Sequence, residues 1–242
     1  MANPLQIHAS THVGRVRLRN EDRCRTPGWR ATGSNEDWRG TVARPGGWVV
    51  IADGMGGHGA GEIASEIAAQ SLAGLLSIAR SPTQIAAAIQ AANYAVHDAM
   101  SMPGGRPAMG TTVVGVRLGA DTCTFFNVGD SRAYVMRDRE LRMVSVDHTP
   151  ITSRVSGVRS HALTQSLGGT LSRRILTPHI ESVAILPGDT VLLCSDGLTD
   201  LVDDDTIAAI LRKDSRHPAA ALVDAALDAG GRDNVTVAVV AF

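Results

Sequence analysis

Four aspartates stand beside apolar runs and are the strongest chemical signal in the sequence. Asp53, Asp130 and Asp196 each come at the end of such a run, and Asp233 directly precedes the last one. Any single one is explained by a turn, because Asp next to Gly is ordinary turn chemistry. Together they indicate more, since carboxylates gathered at one rim of a sheet repel one another unless a cation lies between them. The pattern predicts a divalent-metal site.

The type of ligand indicates which metal and which reaction to expect. Oxygen ligands without His or Cys suit Mg²⁺ or Mn²⁺. Two such ions a few ångströms apart can ionise a bridging water near neutral pH and hold the oxygens of an in-line displacement at phosphorus. We therefore expect hydrolysis of a phosphate ester.

Six short motifs occur in an order and spacing that resemble the protein phosphatase 2C family. They are Arg17-Leu18-Arg19-Asn20-Glu21-Asp22, Asp53-Gly54-Met55-Gly56-Gly57-His58, Gly110-Thr111-Thr112, Gly129-Asp130-Ser131-Arg132, Ser195-Asp196-Gly197-Leu198-Thr199-Asp200 and Asp233-Asn234-Val235-Thr236. One such motif is weak support for the family, but six motifs in order are specific support.

The resemblance extends from about His8 to Phe242. It implies an α+β fold of four layers, α-β-β-α, with two antiparallel sheets and with metals at one end. It also implies hydrolysis of phosphoserine and phosphothreonine in proteins, reversing a Ser/Thr kinase.

The resemblance also implies metal ligands. Asp53 would bridge two core ions. Asp196 and Asp233 would complete one of them, and the backbone carbonyl of Gly54 the other. Asp130, together with Asp196, would hold a third, weaker ion.

Residues near the N-terminus are expected to act on water and phosphate. Glu21 and Asp22 match the family's acidic pair that orients metal-bound water. Arg17 matches the arginine that grips the substrate phosphate, a role suited to its planar fork. Arg15 and Arg19 share a face with Arg17 if the segment is a strand, so the spacing to the acidic pair selects Arg17.

Two histidines and one repeated acidic triplet are further candidates for a role in the site. Met55 stands where eukaryotic members place a proton-donating His. His58 can donate to the leaving alkoxide or only pack beside the next helix, and His148 is expected to position the flap. Asn35-Glu36-Asp37 repeats the acidic motif, but it lies in a polar Gly-rich stretch without a matching arginine, so we assign it to solvent.

The flap predicted from Thr149 to Ile180 departs from the usual bacterial pattern. It is shorter and lacks the acidic helical segment, which leaves substrate choice open. Its run Thr164-Gln165-Ser166-Leu167-Gly168-Gly169 resembles family members that oppose a Ser/Thr kinase controlling type VI secretion.

Hydrophobic periodicity predicts the elements that carry these residues. Strands are predicted at Trp48–Ala52, Thr111–Leu118, Thr122–Val128, Ala133–Met136, Leu141–Val146, Val191–Cys194 and Val235–Phe242. Two helices are predicted between the first two strands, the second beginning at Ser81-Pro82 with Gln84 completing a capping box. A later helical pair is predicted at Thr206–Leu211 and Ala219–Leu227. Gly28–Gly47 and Ser153–Thr170 are predicted loops. This order favours antiparallel sheets covered by helices.

Composition sets the broad class. The 242 residues are 44% hydrophobic and 19% charged, which predicts a single domain over residues 1–242 with its own core. Aromatics at 3% and a net charge of -1 argue against nucleic-acid binding. With no signal peptide and no membrane-length apolar run, we expect a cytoplasmic protein without membrane insertion. Cys24, Cys123 and Cys194 are expected to be unpaired, the last two buried and inert.

Three rival functions remain open. A catalytically weak regulatory binding module, or pseudophosphatase, usually loses metal ligands, whereas every ligand position is filled here. A Ca²⁺-binding protein would carry the acidic twelve-residue loop, which is absent from the sequence. The third rival function is hydrolysis of small phosphoesters, or of a phosphorylated regulator in a stress-response cascade.

The expected partners are phosphorylated proteins and a cognate Ser/Thr kinase.

Overall fold

The chain folds into two large antiparallel sheets and one small sheet, with helices outside them. This computed structural model describes residues 4–56, 60–102, 105–150, 162–213 and 215–242. The strands are β1 (Leu5–His12), β2 (Arg23–Thr26), β3 (Trp29–Arg30), β4 (Asn35–Val42), β5 (Trp48–Ala52), β6 (Gly54–Met55), β7 (Gly110–Thr111), β8 (Val113–Leu118), β9 (Thr122–Val128), β10 (Arg132–Arg137), β11 (Glu140–Met143), β12 (Leu167–Gly168), β13 (His179–Ala184), β14 (Thr190–Cys194) and β15 (Val235–Ala241). The helices are α1 (Ala60–Leu76), α2 (Pro82–Ser101), α3 (Asp196–Thr199), α4 (Asp204–Leu211) and α5 (Pro218–Asp228).

Strand order explains how distant segments meet. The first six-stranded sheet has the order β11-β10-β14-β15-β1-β4, and the second has β13-β9-β8-β5-β2-β3. A three-stranded sheet, β12-β7-β6, lies beside them. Because β1 pairs with β15 and β15 with β14, the ends of the described chain meet in the middle of the first sheet.

Three buried apolar clusters separate four layers. Alternate strand residues point to opposite faces of a sheet, so Ile51 lies in the cluster between the two sheets while Val50 faces α1 and α2. On the first sheet, Leu193 faces the second sheet and Leu192 packs under α3, α4 and α5. The predicted α-β-β-α arrangement is confirmed.

The clearest sequence patterns gave the right boundaries. Strands β5 and β9 have the predicted limits, and α2 begins at Pro82 with Ser81 as its N-cap. The Ser81 hydroxyl accepts a hydrogen bond from the Gln84 amide at 3.2 Å. Gln84 does not close the predicted capping box, because its Oε1 accepts from the amide of Arg80 instead.

The predicted loop at Gly28–Gly47 is wrong over half of its length. It contains β3 and the eight-residue edge strand β4. The repeated triplet lies on β4, where Asn35 Oδ1 accepts from the Val13 amide at 3.0 Å and Asp37 from the Ser10 hydroxyl at 2.6 Å. An edge strand keeps one side unpaired, so its sequence can stay polar and hide the strand pattern.

Two further expectations can be compared with the described residues. All three cysteines are free and buried, and burial raises the pKa of the Cys194 thiol to about 12. Of the predicted loop at Ser153–Thr170, residues 153–161 lie outside the described part, and the remainder contains β12.

Within the described ranges, no helix has the length and apolar character needed to cross a bilayer.

An ion pair at one end of the first sheet, between partly exposed Arg137 and buried Asp189, gives a testable pH dependence. Asp189, 2% exposed, accepts two hydrogen bonds from the Arg137 guanidinium and one from the Leu186 amide. The bond from Arg137 holds the pKa of Asp189 below its usual value. A lowered folded-state pKa stabilises the protein above the unfolded value, near 4, and this stabilisation is lost as pH falls through the folded value.

Asp189→Asn is therefore expected to lower the free energy of unfolding by about 1–3 kcal/mol at pH 7. Urea unfolding at pH 7 and pH 3 measures this, and the difference from wild type should shrink at pH 3. An equal deficit at both pH values would contradict the ionic origin.

Candidate active site

One cavity of about 560 Å³ gathers most of the predicted site residues. Asp53 follows β5, Asp130 follows β9, Asp196 follows β14, and Asp233 precedes β15. Antiparallel neighbours bring the end of one strand beside the start of the next, so these positions meet at one end of the sandwich. The lining includes Arg17, Glu21, Asp53, Gly54, Asp130, Asp196 and Asp233. Of the eight predicted positions, only Asp22 does not line it.

The carboxyl groups of Asp53, Asp130 and Asp196 are half-buried and lie close enough to repel one another. Burial is the main cause that raises the pKa of Asp130 to about 7 and of Asp196 to about 6. Asp53 also has a pKa well above its usual value, through burial first and then repulsion from Asp22, Asp196 and Asp130. Protonation, or a bound cation, relieves this repulsion.

Asp22 lies behind the cavity wall and is 1% exposed. Its Oδ2 accepts a hydrogen bond from the Ser195 hydroxyl at 2.8 Å, whereas its buried Oδ1 has no hydrogen-bond donor among the residues that the structure describes. Burial raises the pKa of Asp22 to about 6, although bonds from Thr236 and Ser195 act against the shift. A buried carboxyl oxygen without a donor is costly unless a proton or cation satisfies it.

These features fit divalent cations. An orphaned carboxyl oxygen and four acids with raised pKa values, of which Asp22 is buried and the other three are half-buried, supply the hard oxygen donors that Mg²⁺ and Mn²⁺ prefer. Among the described residues, no three His, Cys, Asp or Glu side chains are already placed to hold one ion together. The fit therefore rests on the cavity and its charge, and not on a complete set of converging ligand atoms.

The backbone around Asp53 is held in place by two threonines. The Asp53 carbonyl accepts from the Thr111 hydroxyl at 2.8 Å and from the Thr112 amide at 2.9 Å, and the Thr112 hydroxyl accepts from the Asp53 amide at 3.2 Å. A Cβ on Gly54 would lie 2.2 Å from the carbonyl oxygen of Gly61 in α1. Position 54 therefore requires glycine, which brings its backbone against the helix and to the cavity surface.

Arg17 is the arginine of its segment that reaches the cavity. The segment around Arg15–Arg19 forms turns and bends, so the assumption of a strand was wrong. Arg17 Nη2 donates to Asp233 Oδ2 at 2.5 Å, and this bond raises the Arg17 pKa. Arg15 instead donates to the carbonyl of Leu227, and Arg19 does not line the cavity.

Asn234 is a site residue whose role sequence reasoning missed, although it lies in a quoted motif. Its Oδ1 accepts from the Glu21 amide at 2.8 Å, and its Nδ2 donates to the carbonyls of Val13 and Arg19, each at 2.9 Å. It thereby joins the start of β15 to the segment that carries Arg17. The Asp-Asn pair before an apolar strand was the sequence feature that could have indicated this role. The residues that Asn234 contacts, however, lie more than 200 positions away in the sequence.

Asn234→Ala is expected to destabilise the protein by about 2 kcal/mol, because it removes three part-buried hydrogen bonds to the backbone of the Arg17 segment. Thermal unfolding measures this. We also expect a lower kcat/KM for a phosphorylated substrate, because Glu21 loses its anchor. Unchanged stability would contradict the anchoring role.

The remaining predicted residues have limited roles in the described structure. Met55 lines the cavity, and its methyl group approaches Gly110 and Gly169. His148 Nδ1 accepts from the Gly129 amide at 3.1 Å, next to Asp130, which is a positioning contact. His58 lies outside the described residues.

Comparison with known proteins agrees with this architecture. A sequence profile of the family described as Protein phosphatase 2C matches residues 30–229. The serine/threonine phosphatase stp of Listeria monocytogenes is 32% identical over 216 residues, which cover 79% of this chain and 83% of that protein. The serine/threonine protein phosphatase PstP of Mycobacterium tuberculosis is 36% identical over 205 residues, covering 79% of this chain but only 39% of that protein. This chain thus matches well under half of the mycobacterial protein.

Solved structures show the same fold. The crystal structure of M. tuberculosis PstP has a TM-score of 0.81 at 30% identity, with 99% of both chains covered. Another structure of its catalytic domain is a complex with two manganese ions, with a TM-score of 0.79 at 31% identity. PppA of Pseudomonas aeruginosa, described as a key regulatory component of its type VI secretion system, has a TM-score of 0.79 at 28% identity, with 99% of both chains covered.

A four-layer α-β-β-α sandwich with a carboxylate-lined cavity at one end defines the class of protein. The profile match and the Listeria relative then fix the family. The chain belongs to the protein phosphatase 2C family.

Proposed function

We propose that this chain hydrolyses phosphoserine and phosphothreonine in proteins with the help of two divalent ions, Mn²⁺ or Mg²⁺. The observation that carries the proposal is the cavity where half-buried carboxyl groups with raised pKa values lie beside Arg17. The named activities of the Listeria and mycobacterial relatives support it.

The proposed ligands are the acids that line the cavity. Asp53, the carbonyl of Gly54, Asp196 and Asp233 would hold the two core ions, and Asp130 with Asp196 a third. The two manganese ions in the PstP structure support the number and the metal. When bound, the ions would lower the pKa of water and offset the negative charge on the phosphoryl group.

The chain's own residues would orient the reactants. The guanidinium of Arg17 is exposed at the cavity and would bind phosphate oxygens through two parallel N–H bonds. Glu21 lines the cavity with its backbone fixed by Asn234, and its carboxylate would orient the attacking water. Asp22 is buried behind this wall, so it would act through the neighbouring Asp53 carboxyl and not touch substrate.

Specificity for phosphorylated side-chain alcohols tests this function. With Mn²⁺, the purified protein should release phosphate from a phosphothreonine peptide much faster than from the matching phosphotyrosine peptide. A clear preference for phosphotyrosine, or for a small phosphoester over every peptide, would contradict the proposal.

The biological setting is part of the same proposal. The chain would act as one catalytic domain over residues 1–242, in the cytoplasm, against a cognate Ser/Thr kinase. The pairing of β1 with β15 and the cluster between the sheets support a single domain. The similarity to PppA supports type VI secretion proteins as targets. Phosphoproteomics of a deletion strain should then show increased phosphorylation of these proteins, and an unchanged pattern would contradict this pathway.

A further inference from the structure

The mouth of the cavity contains an arginine to which the proposed function gives no role. Among the described lining residues, six are acidic and two, Arg17 and Arg232, are basic. Arg17 is bonded to Asp233. Arg232 is exposed, and within the described chain no hydrogen bond or ion pair of its side chain is found. Among the described lining residues, Arg232 is thus the cation that carries no ion pair within the described part of the protein, whereas Arg17 is paired with Asp233.

The backbone under Arg232 is fixed. The Gly231 amide donates to the carbonyl of Ala226 at 2.9 Å, and the Arg15 amide donates to the carbonyl of Gly231 at 2.7 Å. Gly14 lies against the Asp233 backbone so closely that a Cβ would come within 2.2 Å of its carbonyl oxygen. The turn before β15 is therefore joined to the Arg17 segment, and Arg232 and Arg17 hold fixed places on the same cavity.

The surroundings of Arg232 suit a peptide and not only a phosphate. Leu163 and Leu201 line the same cavity and supply apolar surface beside the charged groups. Neighbouring Cα atoms in a peptide are about 3.8 Å apart, so a residue next to a phosphorylated one in this cavity would lie close to the cavity lining, to which Arg232 belongs. A carboxylate is the side chain that pairs best with an unpaired guanidinium.

We propose that Arg232 is a specificity-determining residue that binds a Glu or Asp side chain next to the phosphorylated residue of the substrate. This inference rests on the proposed function, because it assumes that the phosphoryl group enters this cavity. It predicts a preference for acidic sequences around the phosphorylated position, with Arg17 reserved for the phosphate itself.

Binding of peptides that carry a non-hydrolysable phosphothreonine analogue tests the proposal. Fluorescence anisotropy with Mn²⁺ would compare a peptide with Glu on both sides of the analogue with one that has Gln there. We expect the wild type to bind the Glu peptide about five- to tenfold more tightly, the range for a charge-assisted contact that is partly open to solvent. Arg232→Ala should reduce this ratio to about one. Arg19→Ala, a matched exposed arginine outside the cavity lining, should keep it.

A charge swap separates recognition from a structural effect. Arg232→Glu should prefer a peptide with Lys on both sides of the analogue. Equal binding of the Glu and Gln peptides by the wild type, no binding of either, or an unchanged ratio in Arg232→Ala would overturn the inference. Turnover of an ordinary phosphothreonine peptide is measured separately: if the wild type binds with the expected ratio but hydrolyses nothing, the proposed function fails and the assignment of Arg232 stands.

Discussion

Asp53→Asn is expected to lower kcat/KM for a phosphothreonine peptide by more than about 100-fold. Residues that merely orient a metal ligand already cost about 10- to 100-fold when replaced, and Asp53 is the proposed bridge between both core ions. The substitution keeps the size of the side chain and the hydrogen bonds of the backbone at position 53 to Thr111 and Thr112, but removes the charge. Initial rates at saturating Mn²⁺ measure the loss.

The same variant should be more stable than the wild type in EDTA. The pKa of Asp53 is raised by burial and by neighbouring carboxyl groups, so its ionised form opposes folding at neutral pH. Removing the charge should raise the midpoint of thermal unfolding by about 2–4 °C, equivalent to about 1 kcal/mol for a domain of this size. Asp121→Asn, an exposed acid outside the cavity, is the control and should change neither quantity. An active Asp53→Asn would show that the site is wrongly assigned.

Arg17→Ala is expected to raise KM for a phosphothreonine peptide by about 10- to 100-fold, with a smaller change in kcat. That range corresponds to the loss of a charge-assisted, two-point contact with phosphate. Steady-state kinetics with several substrate concentrations separate the two constants. A loss confined to kcat would contradict a role in phosphate binding.

Two matched variants sharpen this test. Arg17→Lys keeps the charge but not the planar fork, so its KM should lie between the wild type and Arg17→Ala. Arg19→Ala removes an exposed arginine two positions away that does not line the cavity, and should behave like the wild type. Equal defects in Arg17→Ala and Arg19→Ala would indicate a general effect of positive charge.

Sequence patterns predicted the elements in which apolar residues dominate both faces. Strands β5 and β9 are almost wholly buried, so their runs of Val, Ile and Phe mark them clearly. Strand β4 was missed because it is a half-exposed edge strand whose stability depends on pairing with β1 and on the stacked rings of Trp29 and Trp38. Such pairing is set by tertiary structure and not by local periodicity.

The site residues likewise fall into those that the sequence predicts and those that only the fold reveals. The carboxylates Asp53, Asp130, Asp196 and Asp233 are visible in sequence because each stands at a strand end, and the structure places them around one cavity. The anchoring by Asn234 depends on contacts between distant segments, as does the position of Asp22 behind the wall. Such contacts between distant segments cannot be predicted from local patterns in one sequence.

Metal-dependent hydrolysis of a phosphothreonine peptide is the most direct test of the central claim. The purified chain would be assayed for phosphate release with Mn²⁺, with Mg²⁺ and with EDTA, using Asp53→Asn as the inactive reference. We predict release with at least one of the two metals, its loss in EDTA, and its recovery when the metal is restored in excess. Release that continues in EDTA would contradict a metal-dependent site, and no release with either metal would favour a pseudophosphatase that binds phosphoproteins without hydrolysing them.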